Sequence, residues 1–199
     1  MSASRVTASS ISQGFPKSRS LLAGNYAYGG GATWLIERIN VGSAGASSVT
    51  FSSIPQTFKH LQVRGFNRSV SASTGGMWCK IYLNGDTATA NYYSHALYGQ
   101  GTSALSEAHG TTVTQYSFFT CHTGDNSWGS VVMDVLDYRS TNKYKTSRFL
   151  SGFDANGSGY LMLTSELWMN TNAVTSLVID NTGANFAQYS SFALYGVVG

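Results

Sequence analysis

From Thr33 to the C-terminus the chain is a succession of short apolar-rich runs, broken by turn-forming residues about every eight to twelve positions. This rhythm limits the fold more than any other feature, because no segment sustains the 3.6-residue apolar period that a packed helix needs. Strands are expected at Thr33 to Val41, Ser48 to Phe51, Lys59 to Phe66, Trp78 to Leu83, Thr111 to Cys121 and Ser130 to Tyr138. Further strands are expected at Thr146 to Phe153, Leu161 to Leu163, Val174 to Asp180 and Ser191 to Val198. Leu61 and Val63 alternate with His60, Gln62 and Arg64, and Cys79, Ile81 and Leu83 alternate with Lys80 and Tyr82. Such alternation marks strands with one buried face. Between the runs lie residues 43–47, Gly75-Gly76, Asn84-Gly85-Asp86, Gly124-Asp125-Asn126 and Asn156 to Gly159, which supply the positive-φ positions of tight turns. Pro55 stands just before a strand, where a missing N–H costs little. The pattern leaves room for one short helix, at Glu166 to Thr171.

Residues 1–32 differ: they are rich in Ser, Ala and Gly and end in Gly29-Gly30-Gly31, so they read as an extended arm. The architecture expected is all-β, a single antiparallel β-sandwich of jelly-roll type over residues 33–199 behind that N-terminal arm. With 199 residues, the chain is near the size at which one core suffices. The net charge of +3 lies in the arm, because Arg5, Lys17 and Arg19 precede the first acid, Glu37, and the nine remaining bases equal the nine acids. With Phe15, Leu21 and Leu22 these residues form a candidate anchoring segment. A neutral body argues against nucleic acid as a partner, since phosphate contact needs a contiguous basic face.

Only 11% of residues are charged while 42% are hydrophobic, which fits turn-rich sheets and not disorder. No apolar stretch approaches the ~20 residues of a membrane span, and the N-terminus carries no apolar signal core, so neither membrane insertion nor a secretory leader is expected. Cys79 and Cys121 both fall in expected strands and read as buried thiols; their separation fits neither a redox pair nor a metal clip, and a disulfide between them is left open.

The motifs of strong catalytic chemistry are missing: no G-x-S-x-G, no H-E-x-x-H, no G-x-x-x-x-G-K and no paired-carboxylate motif. The histidines, His60, His95, His109 and His122, are scattered. Asp134 and Asp137 flank Val135 and Leu136; they could ligate calcium, but pairing with Arg139 or Lys143 at a strand end accounts for them as well. The expectation is therefore a protein that is not an enzyme, with no metal and no cofactor. Aromatics reach 13%, and Trp78, Trp128, Trp168, Tyr92, Tyr93, Tyr98 and others lie near Asn, Asp, Gln and Ser, a mixture that stacks on sugar rings. The same rings also fill cores and subunit contacts. A loop carrying Tyr92, Tyr93 and Tyr98, and another carrying Asn126 and Trp128, are the candidate ligand-binding positions for a host surface glycan or a protein partner.

Five stretches, TFSSIPQTFKHLQVRG from Thr50, IYLNGDTATANYYSHALYGQG from Ile81, LDYRSTNKYKT from Leu136, LWMNTNAVTSLVI from Leu167 and SSFALYGVVG at the end, together resemble a family of similarly sized virion proteins of tailed bacteriophages common in aquatic habitats. The resemblance spans about Glu37 to Gly199. It implies a structural component of the phage particle, of capsid-decoration or tail-fibre-like type, made in the host cytoplasm and located on the virion. It brings no catalytic residues; the matching positions, among them Pro55, Leu61, Arg64, Asn84, Gly85, Tyr98, Gly99, Phe192, Tyr195 and Gly196, read as core and turn positions. It also implies other capsid or tail subunits as partners and a homo-oligomer, a trimer by analogy. The long arm departs from the family pattern, and attachment to the particle is its expected use. The alternatives are a tail-associated receptor-binding protein that recognises host glycans and, more remotely, a glycan-cleaving enzyme.

Overall fold

The computed structural model describes residues 32–71, 77–110, 117–120, 127–155 and 157–199. Among them lie twelve strands, and no α-helix. They are β1 (Thr33–Asn40), β2 (Ser48–Phe51), β3 (His60–Asn67), β4 (Met77–Leu83), β5 (Tyr92–Gln100), β6 (Ser103–His109), β7 (Phe118–Thr120), β8 (Gly129–Leu136), β9 (Lys145–Asp154), β10 (Gly159–Trp168), β11 (Leu177–Asn181) and β12 (Ser191–Val197). A single 3-10 turn, Thr89–Asn91, precedes β5.

All pairings are antiparallel and form two sheets. The larger has eight strands in the order β1-β12-β3-β8-β9-β10-β5-β6, and the smaller has four, β2-β11-β4-β7. Their facing sides bury Phe51, Leu61, Val63, Ile81, Leu83, Val135, Phe149, Leu177, Ile179, Phe192 and Leu194 in one core. This burial is what the alternation in β3 and β4 called for: Leu61, Val63, Cys79, Ile81 and Leu83 point inward. Cys79 is a free, fully buried thiol, and burial pushes its pKa up.

The turn at Asn84-Gly85 also matches its sequence. Both residues have positive φ, 54° and 68°, and the Asp86 amide closes the turn on the Leu83 carbonyl at 3.0 Å. The Asn84 side chain then ties this turn to residues 173–176, donating to the Ala173 carbonyl at 2.8 Å and accepting from the Thr175 amide at 2.7 Å.

The strand pattern holds less well in the middle of the chain. Two strands were not expected at all, β5 and β6. The segment taken as a loop bearing Tyr92, Tyr93 and Tyr98 is the nine-residue strand β5. The expected three-residue strand at Leu161 is ten residues long and runs through Trp168, so the short helix at Glu166 does not form there. Of the run Thr111 to Cys121, only residues 117–120 fall within the described residues, and Phe118–Thr120 form β7. The arm, with Arg5, Phe15, Lys17, Arg19, Leu21 and Leu22, lies outside the described residues, as do Asn126, Cys121 and His122.

Candidate functional site

The cause of the missed strands is also the most unusual surface of the molecule. In β5 and β10 both faces mix polar and apolar side chains. Tyr92, Ser94, Ala96, Met162, Thr164, Glu166 and Trp168 point inward, while Leu97, Leu161 and Leu163 point out. Register carries the outward leucines into one line. Val132 pairs with Leu150, Leu150 with Leu163 and Leu163 with Leu97, across β8, β9, β10 and β5. These four are 38%, 52%, 54% and 59% exposed, and Leu161 beside them is 62% exposed. Directly paired residues on one sheet face have Cβ atoms about 5 Å apart, so the row forms a continuous apolar ridge. Gly152 and Gly99, in register with Leu161 on either side, carry no side chain and leave a shallow groove next to it.

Polar groups frame this ridge. Toward β12, Arg64 lies over the Tyr195 ring, 5.4 Å from its centroid, and donates to the Gln62 side chain at 2.9 Å. Gln62 in turn donates to Asp134 at 2.9 Å. Farther along β3, Phe66 stacks on Trp128 with centroids 4.9 Å apart and planes 9° apart, and the Arg68 guanidinium stands 4.9 Å from the same indole.

Some of the polar residues on these strands are joined by hydrogen bonds that sequence reading missed. The buried Glu166 carboxylate accepts a hydrogen bond from Ser117 Oγ at 2.8 Å. Glu107 accepts from Tyr98 Oη at 2.6 Å, and its other oxygen lies 3.0 Å from His109 Nε2. The Glu107 bond holds the Tyr98 phenol protonated, with its pKa pushed up to about 12. The signal for this network was the spacing of polar residues along β5, β6 and β10 once they are read as strands.

Of the described candidates, Tyr92, Tyr93 and Tyr98 do not all share one face of β5. Tyr92 is a core residue: its hydroxyl donates to the Asp86 carbonyl at 3.0 Å and accepts from the Leu83 amide at 3.0 Å, and burial raises its pKa. It presents no ring to a ligand, which corrects the expectation for that position. Tyr98 faces the inner side of the sheet, and Tyr93 the outer side at one end. Trp128 is half-buried against Phe66. Adjacent strand residues point to opposite faces, so a run of tyrosines on β5 cannot form one binding surface.

Asp137 is held between two ammonium groups, Lys59 at 2.9 Å and Lys143. Lys143 was an expected partner and Lys59 was not, while Arg139 donates instead to the Gln56 carbonyl at 2.9 Å. His60 Nδ1 accepts the Asp137 amide at 2.9 Å, so its 3.9 Å approach to the carboxylate is no ion pair in this tautomer. Hydrogen bonds from Lys143 and then Lys59 take the Asp137 pKa down to about 2 from 3.8. A lowered folded-state pKa contributes stability above the unfolded value and loses it as pH falls toward the folded one. The melting temperature is therefore expected to drop between pH 4 and 2, and Asp137→Asn is expected to flatten that drop in calorimetric scans. An unchanged pH profile in the variant would show that the pair adds nothing.

Among the described residues no three His, Cys, Asp or Glu side chains are placed to hold a metal ion, and no helix is long and apolar enough to cross a membrane. The fold and surface define an all-β protein of two antiparallel sheets with an apolar ridge on the outer face of the larger. No protein-family model matches the chain, and none of the curated proteins does.

Proposed function

We propose that this chain is a non-enzymatic jelly-roll subunit of a tailed-phage particle, of capsid-decoration type, that packs against neighbouring protein through the outer face of its large sheet. The observation that carries the reading is the in-register ridge Val132, Leu150, Leu163 and Leu97. Four consecutive strands each hold a large aliphatic side chain out to water in this row, an arrangement that costs stability in an isolated subunit and is offset when a partner covers it. The strand order supports the jelly-roll reading. β1, β12, β3 and β8 face β2, β11, β4 and β7 in the interleaved sequence of that fold, and the hairpins β5-β6 and β9-β10 widen one sheet. The phage setting rests on the five stretches that resemble virion proteins. In this reading the basic arm, residues 1–32, adds a tether to the particle, and the subunit forms a homo-oligomer.

Copy number tests the proposal. Quantitative mass spectrometry of purified particles is expected to find the chain in hundreds of copies on heads. Its absence from particles would end the reading. A few copies confined to tails would instead support host recognition, for which the stacked Phe66, Trp128 and Arg68 are the one favourable feature. A glycan-binding screen comparing Trp128→Ala with the parent chain would then measure it.

A further inference from the structure

At one end of the sandwich the loop between β2 and β3 meets the loop between β8 and β9. Tyr138 staples the two: its ring is fully buried, its hydroxyl donates to the Pro55 carbonyl, and the Phe58 amide donates back at 3.4 Å. The turn that carries Asp137 is closed by the Ser140 amide on the Asp137 carbonyl at 2.9 Å, and Asp137 has a φ of 47°. Non-glycine residues hold that conformation only where their surroundings fix it. Between the loops lies a cleft of about 410 Å³ lined by Gln56, Lys59, Asp137, Arg139, Ser140 and Lys143.

Charge decides what such a cleft can hold. Among the lining side chains three cations face one acid, a net charge of +2. Each Asp137 oxygen takes one ammonium, which holds Lys59 and Lys143 side by side at a separation their mutual repulsion would otherwise oppose. Each ammonium keeps donors free, since it has three N–H groups and spends one on the carboxylate. Arg139 is fixed through one nitrogen on the Gln56 carbonyl and keeps the rest of its fork. Beneath them Lys145 is buried, donating to the Lys143 carbonyl at 3.0 Å and the Thr171 carbonyl at 3.1 Å. Burial and then Lys143 push its pKa below the usual lysine value.

We infer that this cleft is a phosphate-binding site, with Lys59, Lys143 and Arg139 as its donors and Asp137 as the group that positions the two lysines. Tetrahedral oxyanions present several acceptors at once, which suits convergent ammonium and guanidinium donors better than it suits a neutral sugar or a cation. The site does not depend on the particle reading, and the chemistry is shared by free phosphate and by a phosphate monoester of a surface polymer.

The test is a 15N NMR titration of the full chain at low ionic strength, where screening is weak. Inorganic phosphate forms one arm, glycerol phosphate a second, and chloride at matched ionic strength a control. Saturable shifts at the amides of Lys59, Arg139, Ser140 and Lys143 are expected in at least one phosphate arm and not with chloride. Tighter binding of glycerol phosphate would point to an esterified source, and tighter binding of inorganic phosphate to the free ion. The double variant Lys59→Met, Lys143→Met should weaken binding at least about tenfold, since it removes two charge-assisted contacts. Both lysines are more than half exposed, so the variant is expected to fold, and its melting curve checks that. Linear shifts, equal shifts with chloride, or unchanged affinity in a folded double variant would overturn the assignment.

Discussion

Changing Leu150 and Leu163 together to lysine is expected to reduce incorporation into particles by at least about tenfold while leaving the isolated chain folded. Both side chains stand in the middle of the ridge and more than half of each is in water. Surface substitutions of this kind shift stability by about 0.5 kcal/mol or less. Against a partner, each lysine would bury an unpaired ammonium, at a cost of several kcal/mol, where the leucine buried only hydrocarbon. Co-purification with particles from cells expressing the variant, beside a melting curve of the free chain, separates the two effects. Normal incorporation would remove the ridge as an interface. A collapsed melting curve would show that the leucines serve the subunit's own fold.

The second large effect concerns the core. A Cβ added at Gly196 would fall 2.2 Å from Cγ and Cδ2 of Phe58, a ring that is itself buried. Those atoms are at the base of the ring and cannot swing aside alone. Relief would require moving β12 or the loop that carries Phe58, and the Phe58 amide is tied to Tyr138. Overpacking in a dense core costs about 1–3 kcal/mol, and Gly196→Ala belongs at the upper end because backbone must move. For a chain of this length that is a drop of about 6–12 °C in melting temperature. Combining it with Phe58→Ala should recover part of the loss from each single change, a coupling that urea denaturation of all four proteins would measure. Strict additivity would mean that the two residues do not meet.

How much of this was legible beforehand depends on the strand. β2, β3, β4, β8 and β12 place large apolar residues inward at every second position, so periodicity alone located them. β5 and β6 carry Ser, His, Ala, Gly and Glu, residues weakly inclined to form strands, and β5 and β10 mix polar and apolar residues on both faces. A reader who expects apolar residues inside finds no strand in YYSHALYGQ, or places it as a loop. The same alternation separates two of the candidate aromatics: Tyr92 and Tyr93 are neighbours in sequence but lie on opposite faces of one sheet. Trp168 shows how far tertiary context reaches, since its indole donates to Asp86 at 2.8 Å from 82 positions away.

The amino-acid sequence by itself determined that the chain is built of antiparallel strands, that a turn falls within residues 43–47 and that Asn84-Gly85 makes a tight turn, because these follow from side-chain period and local backbone preference. The tertiary structure alone decided that leucines from four strands line up on the outside of one sheet, and that Lys59, Asp137, Arg139 and Lys143 share one cleft. Both depend on register and on which strands are neighbours, quantities fixed by pairing between residues far apart in the chain and carried by no local pattern.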